Sequence, residues 1–140
     1  MLTIFSKLYP DLKLVLQGVS FVEGDKGKDK FEVDGLLLAS NVVVLVEARR
    51  ALRESHVDQV VNTAGNITKY WDMVKLKDPD AVWPRIEECE LIRVLVAPYA
   101  SPQVIAAVSK RNERFVVMTD SGDALRVTYT SPELRSLASS

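Results

Sequence analysis

The sequence predicts an α/β fold in which a mixed β-sheet of five to six strands is flanked by helices on both faces. The run Val42–Val46 has no polar residue on either face of a strand, which is typical of a central strand covered on both sides. In the second half of the chain, strand patterns alternate with helix patterns. This alternation favours a sheet with helices packed against it.

Composition restricts the classes of protein that this chain can belong to. Its 140 residues, 47% hydrophobic and 26% charged, fit one domain over residues 1–140 with a core over about 12–130. One cysteine and one histidine exclude a disulfide framework and multi-histidine metal sites. A net charge of −1 excludes a uniformly basic coat and allows a local basic cleft.

Targeting signals are not evident in the sequence. No apolar run is long enough to span a bilayer, and the first residues lack the pattern of a signal peptide. We therefore expect no membrane partner and an intracellular location, either cytoplasmic or nuclear. The sequence starts inside a predicted helix, which is compatible with a fragment of a longer protein.

The first half of the chain predicts strands and one hairpin turn. Residues Leu12–Leu16 alternate like a strand and also fit a helix that continues after Pro10. Strands are predicted over Val19–Glu23, Phe31–Leu38 and Val42–Arg49. A charged loop that bears glycines separates the first two of these strands, and a tight turn joins the last two.

A long amphipathic helix follows. Ser55 with Asp58 three residues later fits a capping box, and the helix must end before Pro79. Apolar residues recur at helical spacing and predict one buried stripe: Val57, Val60, Val61, Ala64, Ile67, Trp71 and Val74.

The remainder alternates strand and helix. Strands are predicted over Leu91–Ala97, Phe115–Thr119 and Leu125–Tyr129. Ser101 is a predicted N-cap, with a proline after it, for a helix that runs to about Arg111. This helix is predicted to be a right-handed crossover between two parallel strands. The tail from Ser131 is predicted to be loosely attached.

Four charged residues lie on two of the predicted strands: Glu32, Asp34, Glu47 and Arg49. If Ser40 and Asn41 form a two-residue turn, the positions of opposed residues sum to 81. Asp34 then lies opposite Glu47, and Glu32 lies opposite Arg49. Opposed side chains have Cβ atoms about 4.5–5.5 Å apart, so three carboxylates and one guanidinium converge.

Bringing these carboxylates together costs free energy unless a bound cation compensates their charge. Adjacent carboxylates repel each other, and aspartate is depleted in strands. A divalent cation, Mg²⁺ or Mn²⁺, bound by Asp34 and Glu47 would remove the conflict, and Glu32 is a further candidate ligand. The alternative is an ordinary cross-strand salt bridge between Glu32 and Arg49. In that case Asp34, which precedes Gly35, is a turn-forming residue.

The segments Phe31–Gly35 and Val44–Arg49 together resemble the core of the PD-(D/E)XK nuclease superfamily. That group includes restriction endonucleases, Holliday junction resolvases, RecB-type nuclease domains and crinkler-type domains. Its pattern is an aspartate on one strand, Glu-x-Lys on the next, and then a helix. The predicted order of elements from about residue 12 to 119 is also similar, which implies a restriction-endonuclease-like fold.

The resemblance implies roles for individual residues. Asp34 and Glu47 match the metal-binding acids, and the Ala48 carbonyl matches the backbone ligand. Val33 stands at the place of the family's proline, and Arg49 stands at the place of its lysine. Arginine is effectively never deprotonated, so it is a poor base, although it can hold a water molecule or a phosphate.

Two functions follow from this resemblance. The first is a metal-dependent nuclease that hydrolyses DNA, branched or single-stranded, with Asp34, Glu47 and Arg49 as catalytic residues and Mg²⁺ or Mn²⁺ as cofactor. The alternative is a catalytically inactive nuclease-like domain that binds nucleic acid or protein. A homodimer is compatible with both functions.

Three further residues are candidates for contacts with nucleic acid. Arg50 and Arg53 precede the long helix and would contact a phosphate backbone. As surface charges, however, they need no functional explanation. Gln59 lies on that helix, where it either faces the site or is exposed to solvent.

Overall fold

The computed structural model describes residues 5–137 and contains one six-stranded mixed sheet. The strands lie side by side in chain order: β1 Lys13–Glu23, β2 Asp29–Ala39, β3 Val42–Ala48, β4 Glu90–Ala97, β5 Arg114–Asp120 and β6 Leu125–Thr130. The pairs β3–β4 and β4–β5 are parallel, and the other three pairs are antiparallel. The predicted α/β class and strand number are confirmed.

Helices cover both faces of the sheet. Helices α1 (Glu54–Lys69), α2 (Trp71–Lys75) and α3 (Pro102–Ser109) pack on one face. The other face is covered by a helical turn at Phe5 and by a 3₁₀ helix over Pro132–Leu137. Within residues 5–137, no helix is long and apolar enough to cross a membrane.

Strand β3 is buried on both faces, as its sequence predicts. Each residue of the run Val42–Val46 is at most 7% exposed. Val43 and Leu45 contribute to the core beneath the three α-helices, whereas their neighbours along the strand contribute to the core on the opposite face. The β3 backbone is therefore held in place by packing from both sides.

The register of the β2–β3 hairpin is the predicted one. Opposed residues run from Ala39–Val42 to Gly35–Val46, and their positions sum to 81. Pairing of these two strands ends there, although β3 continues to pair with β4 as far as Ala48. Residues Asp29–Val33 of β2 pair with β1 alone, so β2 and β3 separate where the predicted acids lie.

The chain from Lys13 to Glu23 forms a single strand, which corrects the predicted split. The pairing with β2 shifts between Leu14 and Leu16, and Gly18 has a φ of +62°. A bulge and a left-handed glycine interrupt the alternation of side chains without ending the strand. The sequence pattern therefore breaks inside one element.

The N-terminus of α1 also differs from the prediction. The N-cap is Arg53 and not Ser55, and the Arg53 backbone N–H donates to His56 Nδ1 at 2.9 Å. Ser55 lies within the first turn. The predicted capping pair, Ser55 with Asp58, is therefore wrong by two residues.

The long amphipathic helix is interrupted near its end. Tyr70 leaves the helical conformation, with φ −109° and ψ 30°, and separates α1 from α2. Its hydroxyl donates to the Asp29 carboxylate, and its ring stacks on Phe31. The apolar stripe is nevertheless confirmed across both helices, with Val61 only partly buried and the others buried: Val57, Val60, Ala64, Ile67, Trp71 and Val74.

Helix α3 begins as the sequence predicts. Ser101 Oγ accepts a hydrogen bond from the Val104 N–H at 3.3 Å, and Pro102 is the first helical residue. The helix ends at Ser109, two residues before the predicted end. It connects the parallel strands β4 and β5, as predicted for a crossover.

The segment from Ser131 is packed and not loosely attached. Ser131 is 5% exposed, and its Oγ accepts a hydrogen bond from the Phe115 N–H at 2.8 Å. Leu134 is 2% exposed and belongs to the same core as Phe5. Apolar area left open by the sheet draws this segment onto it. The predicted helical residues Leu2–Ile4 lie outside the described residues.

We expect Ser131→Ala to lower the free energy of unfolding by about 1–3 kcal/mol, because it leaves the buried Phe115 N–H without an acceptor. The control is Ser121→Ala, whose hydroxyl bonds to the Ala124 carbonyl at an exposed turn. The control should change stability by less than about 0.5 kcal/mol. Urea unfolding of both variants measures this. Equal losses in the free energy of unfolding would show that the Ser131 hydrogen bond does not stabilise the fold.

Candidate active site

The site is built where β3 loses its partner β2. The Ala48 N–H points away from β4, and Asp34 Oδ2 accepts it at 2.9 Å. The next N–H, that of Arg49, donates to the Val96 carbonyl at 2.9 Å. A carboxylate thus replaces the carbonyl that a continued β2–β3 ladder would have supplied. This bond fixes Asp34 next to the end of β3.

The Arg49 guanidinium lies among three oxygen atoms. Its Nη1 donates to Asp34 Oδ2 at 3.1 Å and to the Ala48 carbonyl at 2.9 Å. Its Nη2 donates to Glu47 Oε1 at 2.5 Å. These are the oxygens of the three groups that the sequence resemblance assigns to a metal ion. In this structure, one organic cation contacts all of them.

Glu47 is the most buried acid of the site. Its side chain is 10% exposed, and its Oε2 atom is buried without a hydrogen-bond partner. Burial raises the pKa of this carboxyl, the Arg49 charge lowers it, and the carboxylates of Asp34 and Glu32 raise it, with a net increase. An unpartnered buried carboxylate oxygen is costly, and a contact with a bound cation would satisfy it.

A shallow pocket of about 340 Å³ opens beside these groups, between β2 and α1. Its lining residues are Lys30, Phe31, Glu32, Glu47, Arg49, Gln59, Asn62, Thr63 and Asn66. Two sequence candidates, Glu32 and Gln59, are thereby placed at the site. Gln59 is exposed to solvent and also lines the pocket.

Glu32 does not join the acid pair. Arg49 forms its ion pairs with Asp34 and Glu47, whereas the exposed Glu32 lines the pocket. Across residues 5–137, no group of three or more His, Cys, Asp or Glu side chains is arranged to hold a metal ion. The oxygen set at the end of β3 is therefore two carboxylates and one carbonyl.

Five lining residues were not predicted as parts of the site: Lys30, Phe31, Asn62, Thr63 and Asn66. For the three helix residues, the spacing of polar side chains in the sequence of α1 already indicates a shared face. Gln59, Asn62, Thr63 and Asn66 recur at intervals of three and four, which places them on one helical face. This polar face borders the apolar stripe of α1 and provides neutral hydrogen-bonding groups next to the acids.

Arg50 and Arg53 lie outside the pocket lining, in the segment between β3 and α1. Arg53 is exposed, and its backbone N–H bonds to His56 Nδ1. Burial lowers the pKa of His56, and the charges of Arg49 and Arg53 lower it further. A neutral His56 can accept this hydrogen bond, so its first role is to cap the helix.

Comparison with known proteins identifies no relative of this chain. No family model matches this chain, and neither does any curated protein or solved structure. The resemblance to the PD-(D/E)XK nucleases therefore stays a prediction based on Asp34, Glu47 and their surroundings.

The oxygen set itself suits a hard divalent cation. Carboxylate and carbonyl oxygens are the ligands that Mg²⁺ and Mn²⁺ prefer, and Glu47 Oε2 is available for one more contact. The donors of Asp34, Glu47 and Ala48 thus fit such an ion. The Arg49 guanidinium already contacts them, so a metal ion would have to replace it.

The raised pKa of Glu47 gives a prediction about stability and pH. Its folded-state pKa lies above the ordinary value of 4.5, so its protonated form favours the folded state. The corresponding stability is complete below pH 4.5 and is lost as the pH rises through the folded-state pKa. We therefore expect Glu47→Gln to stabilise the metal-free protein at neutral pH, and this gain should shrink on acidification.

Urea unfolding across this pH range, with a chelator present, measures the effect. The control is Glu87→Gln, an exposed position at 72% side-chain exposure, which should change stability little at any pH. A gain from Glu47→Gln that grows as the pH falls would contradict the prediction.

Proposed function

We propose that this domain is a metal-dependent nuclease that hydrolyses phosphodiester bonds of DNA. One observation carries the proposal. Two carboxylates and a backbone carbonyl surround the Arg49 guanidinium at the end of β3, and the buried Glu47 Oε2 is left without a partner. A protein gains no stability from leaving such an atom unsatisfied. Binding of a divalent cation provides a reason for the arrangement.

Asp34, Glu47 and the Ala48 carbonyl would hold Mg²⁺ or Mn²⁺. When bound, such an ion activates water as a nucleophile and neutralises phosphate charge. The Asp34–Ala48 hydrogen bond holds the first carboxylate in place before any ion binds. Burial among packed strands holds the second, since Glu47 is only 7% exposed. The site is therefore largely formed in advance.

Arg49 would act on the phosphate. A guanidinium stays protonated throughout the physiological range, so Arg49 cannot serve as a general base. It can donate two parallel hydrogen bonds to phosphate oxygens and stabilise charge that develops on them. Its side chain is 33% exposed and lines the pocket with Lys30 and Gln59, which provide further donors.

Cleavage assays with Mg²⁺ and then Mn²⁺, on plasmid and branched DNA, test the proposal. We expect metal-dependent cleavage by the wild type and none by Glu47→Ala. Arg49→Lys should retain cleavage within about tenfold, and Arg49→Ala should lose on the order of 10²-fold, the scale of one charge-stabilising donor.

Two outcomes would contradict the nuclease. If no cleavage is seen with either metal, the site is not catalytic on DNA. If cleavage survives in Glu47→Ala, a contaminating nuclease is its source, and the support for this site is lost. Circular dichroism of each variant establishes that it is folded.

The contacts of Arg49 also favour a second function. The guanidinium already contacts all three oxygen groups, so Arg49 can be a permanent replacement for a metal ion. The domain would then be an inactive nuclease-like module that binds nucleic acid or protein. This alternative expects no cleavage by the wild type and no change in melting temperature with Mg²⁺ or Mn²⁺.

DNA affinity must come from a local surface, because the net charge is −1. We expect the double variant Arg50→Ala with Arg53→Ala to weaken duplex binding. The slope of log affinity against log salt is negative, and its magnitude should decrease by about 0.9 for each phosphate that the variant no longer neutralises. The Arg53 cap uses backbone atoms, so α1 should be retained.

Fluorescence anisotropy over a series of salt concentrations measures this effect. The control removes the same charge at two other exposed positions, Arg85 and Arg126, and should leave the slope unchanged. Unchanged binding in the Arg50 and Arg53 variant would exclude this segment. The lysine-bearing loop at Lys26, Lys28 and Lys30 would then be the next surface to test.

A further inference from the structure

We propose that the Arg49 guanidinium is an exchangeable occupant of the acid pair, displaced when a nucleic-acid phosphodiester enters the adjoining pocket. Asp34 and Glu47 would then hold a divalent cation in place of the guanidinium. Phosphodiester and metal ion therefore bind cooperatively, and each alone binds weakly. This inference rests on the proposed function and adds to it the way in which the substrate controls the metal site.

The guanidinium contacts both the acid pair and the pocket. It bonds to Asp34, Glu47 and the Ala48 carbonyl, and its side chain also lines the pocket. One third of that side chain is exposed, so a rotation about its own torsions suffices to turn the charged group towards solvent. Glu47 and the Ala48 backbone, in contrast, are held by the buried strand β3.

The pocket provides the second partner that the exchange needs. Besides Arg49, it is lined by Lys30, Gln59, Asn62 and Asn66, whose side chains carry one ammonium and three amide groups. All of these groups can donate hydrogen bonds to phosphate oxygens. A phosphate bound there gives the guanidinium a bidentate anionic partner in exchange for the carboxylates it leaves.

Charge balance makes the two binding events depend on each other. A metal ion cannot enter while the guanidinium occupies the same oxygens, because two cations would repel each other at contact distance. If the guanidinium left without a metal ion, Asp34 and Glu47 would face each other uncompensated. Exchange with both ligands present keeps every charge paired. The coupling between the two ligands is therefore positive.

The chain contains a matched arginine for comparison. Arg111 has the same 33% side-chain exposure and also bridges two acids, with Nη2 at 2.5 Å from Glu113 and Nη1 at 3.4 Å from Asp58. Asp58 is 72% exposed, and neither acid of this pair has a buried oxygen without a partner. Removal of Arg111 should therefore create no metal site.

The experiment measures Mn²⁺ binding as the loss of the free-ion electron paramagnetic resonance signal. Wild type, Arg49→Met and Arg111→Met are each titrated with and without a short DNA duplex that lacks terminal phosphates. Glu47→Ala with the same duplex corrects for Mn²⁺ bound by the DNA itself. Gel electrophoresis checks that the duplex is intact, so the readout does not depend on cleavage.

We expect the duplex to raise the Mn²⁺ affinity of the wild type by about tenfold, within the usual range of coupling between sites. Arg49→Met should bind Mn²⁺ about tenfold more tightly than the wild type without DNA, and the duplex should then add little. Arg111→Met should behave as the wild type. By reciprocity, Mn²⁺ should raise the duplex affinity of the wild type by the same factor.

Several results would overturn the inference. It fails if Arg49→Met binds Mn²⁺ no more tightly than the wild type, or if the duplex leaves the wild-type affinity unchanged. If a nucleoside monophosphate raises the Mn²⁺ affinity and the duplex does not, the pocket binds a terminal phosphate and the proposed phosphodiester ligand is wrong. If Arg49→Met does not fold, the reciprocal measurement on the wild type decides. Coupling without cleavage overturns only the nuclease, whereas cleavage without coupling overturns only the exchange.

Discussion

The Ala48 N–H lies on the side of β3 from which β2 has departed, and the Asp34 carboxylate takes the place of the missing ladder carbonyl. The rest of the site depends on this substitution of a side chain for a backbone acceptor. It fixes one carboxylate at the end of a strand whose other edge is bonded to β4. Arg49 and Glu47 then complete a charge cluster on a backbone that packing on both faces already holds rigid.

The parts of the fold that sequence could predict are those in which burial overrides every other preference. The run Val42–Val46 and the α1 stripe leave few choices, because apolar side chains must face a core. The errors arose where several local solutions have similar free energies. Arg53 caps α1 although Ser55 has better capping chemistry, and Gly18 interrupts a pattern without ending its strand. Burial of Ser131 depends on a surface that distant segments create.

The sequence predicts which backbone positions come together at the site, but it does not predict where the Arg49 side chain points. Hairpin register places Asp34 near Glu47, since a two-residue turn leaves little freedom. The direction of the Arg49 side chain has no such constraint. It bonds to Glu47 on its own strand and to Asp34 across the gap, and Glu32 remains exposed. The point at which β2 separates from β3 decides this, and no local sequence pattern marks that point. The helix spacing from Gln59 to Asn66, in contrast, is visible in the sequence.

The closure of the second core by Phe5 and Leu134 has a consequence for synthesis of the chain. The apolar face formed by Val44, Val94 and neighbouring residues is covered partly by Leu134, which the ribosome adds only after all six strands have been made. A nascent chain that has completed β5 therefore carries a sheet with one face incompletely covered. Such exposed apolar surface attracts chaperones and other nascent chains. Slow translation of residues 121–134 would therefore prolong this stage.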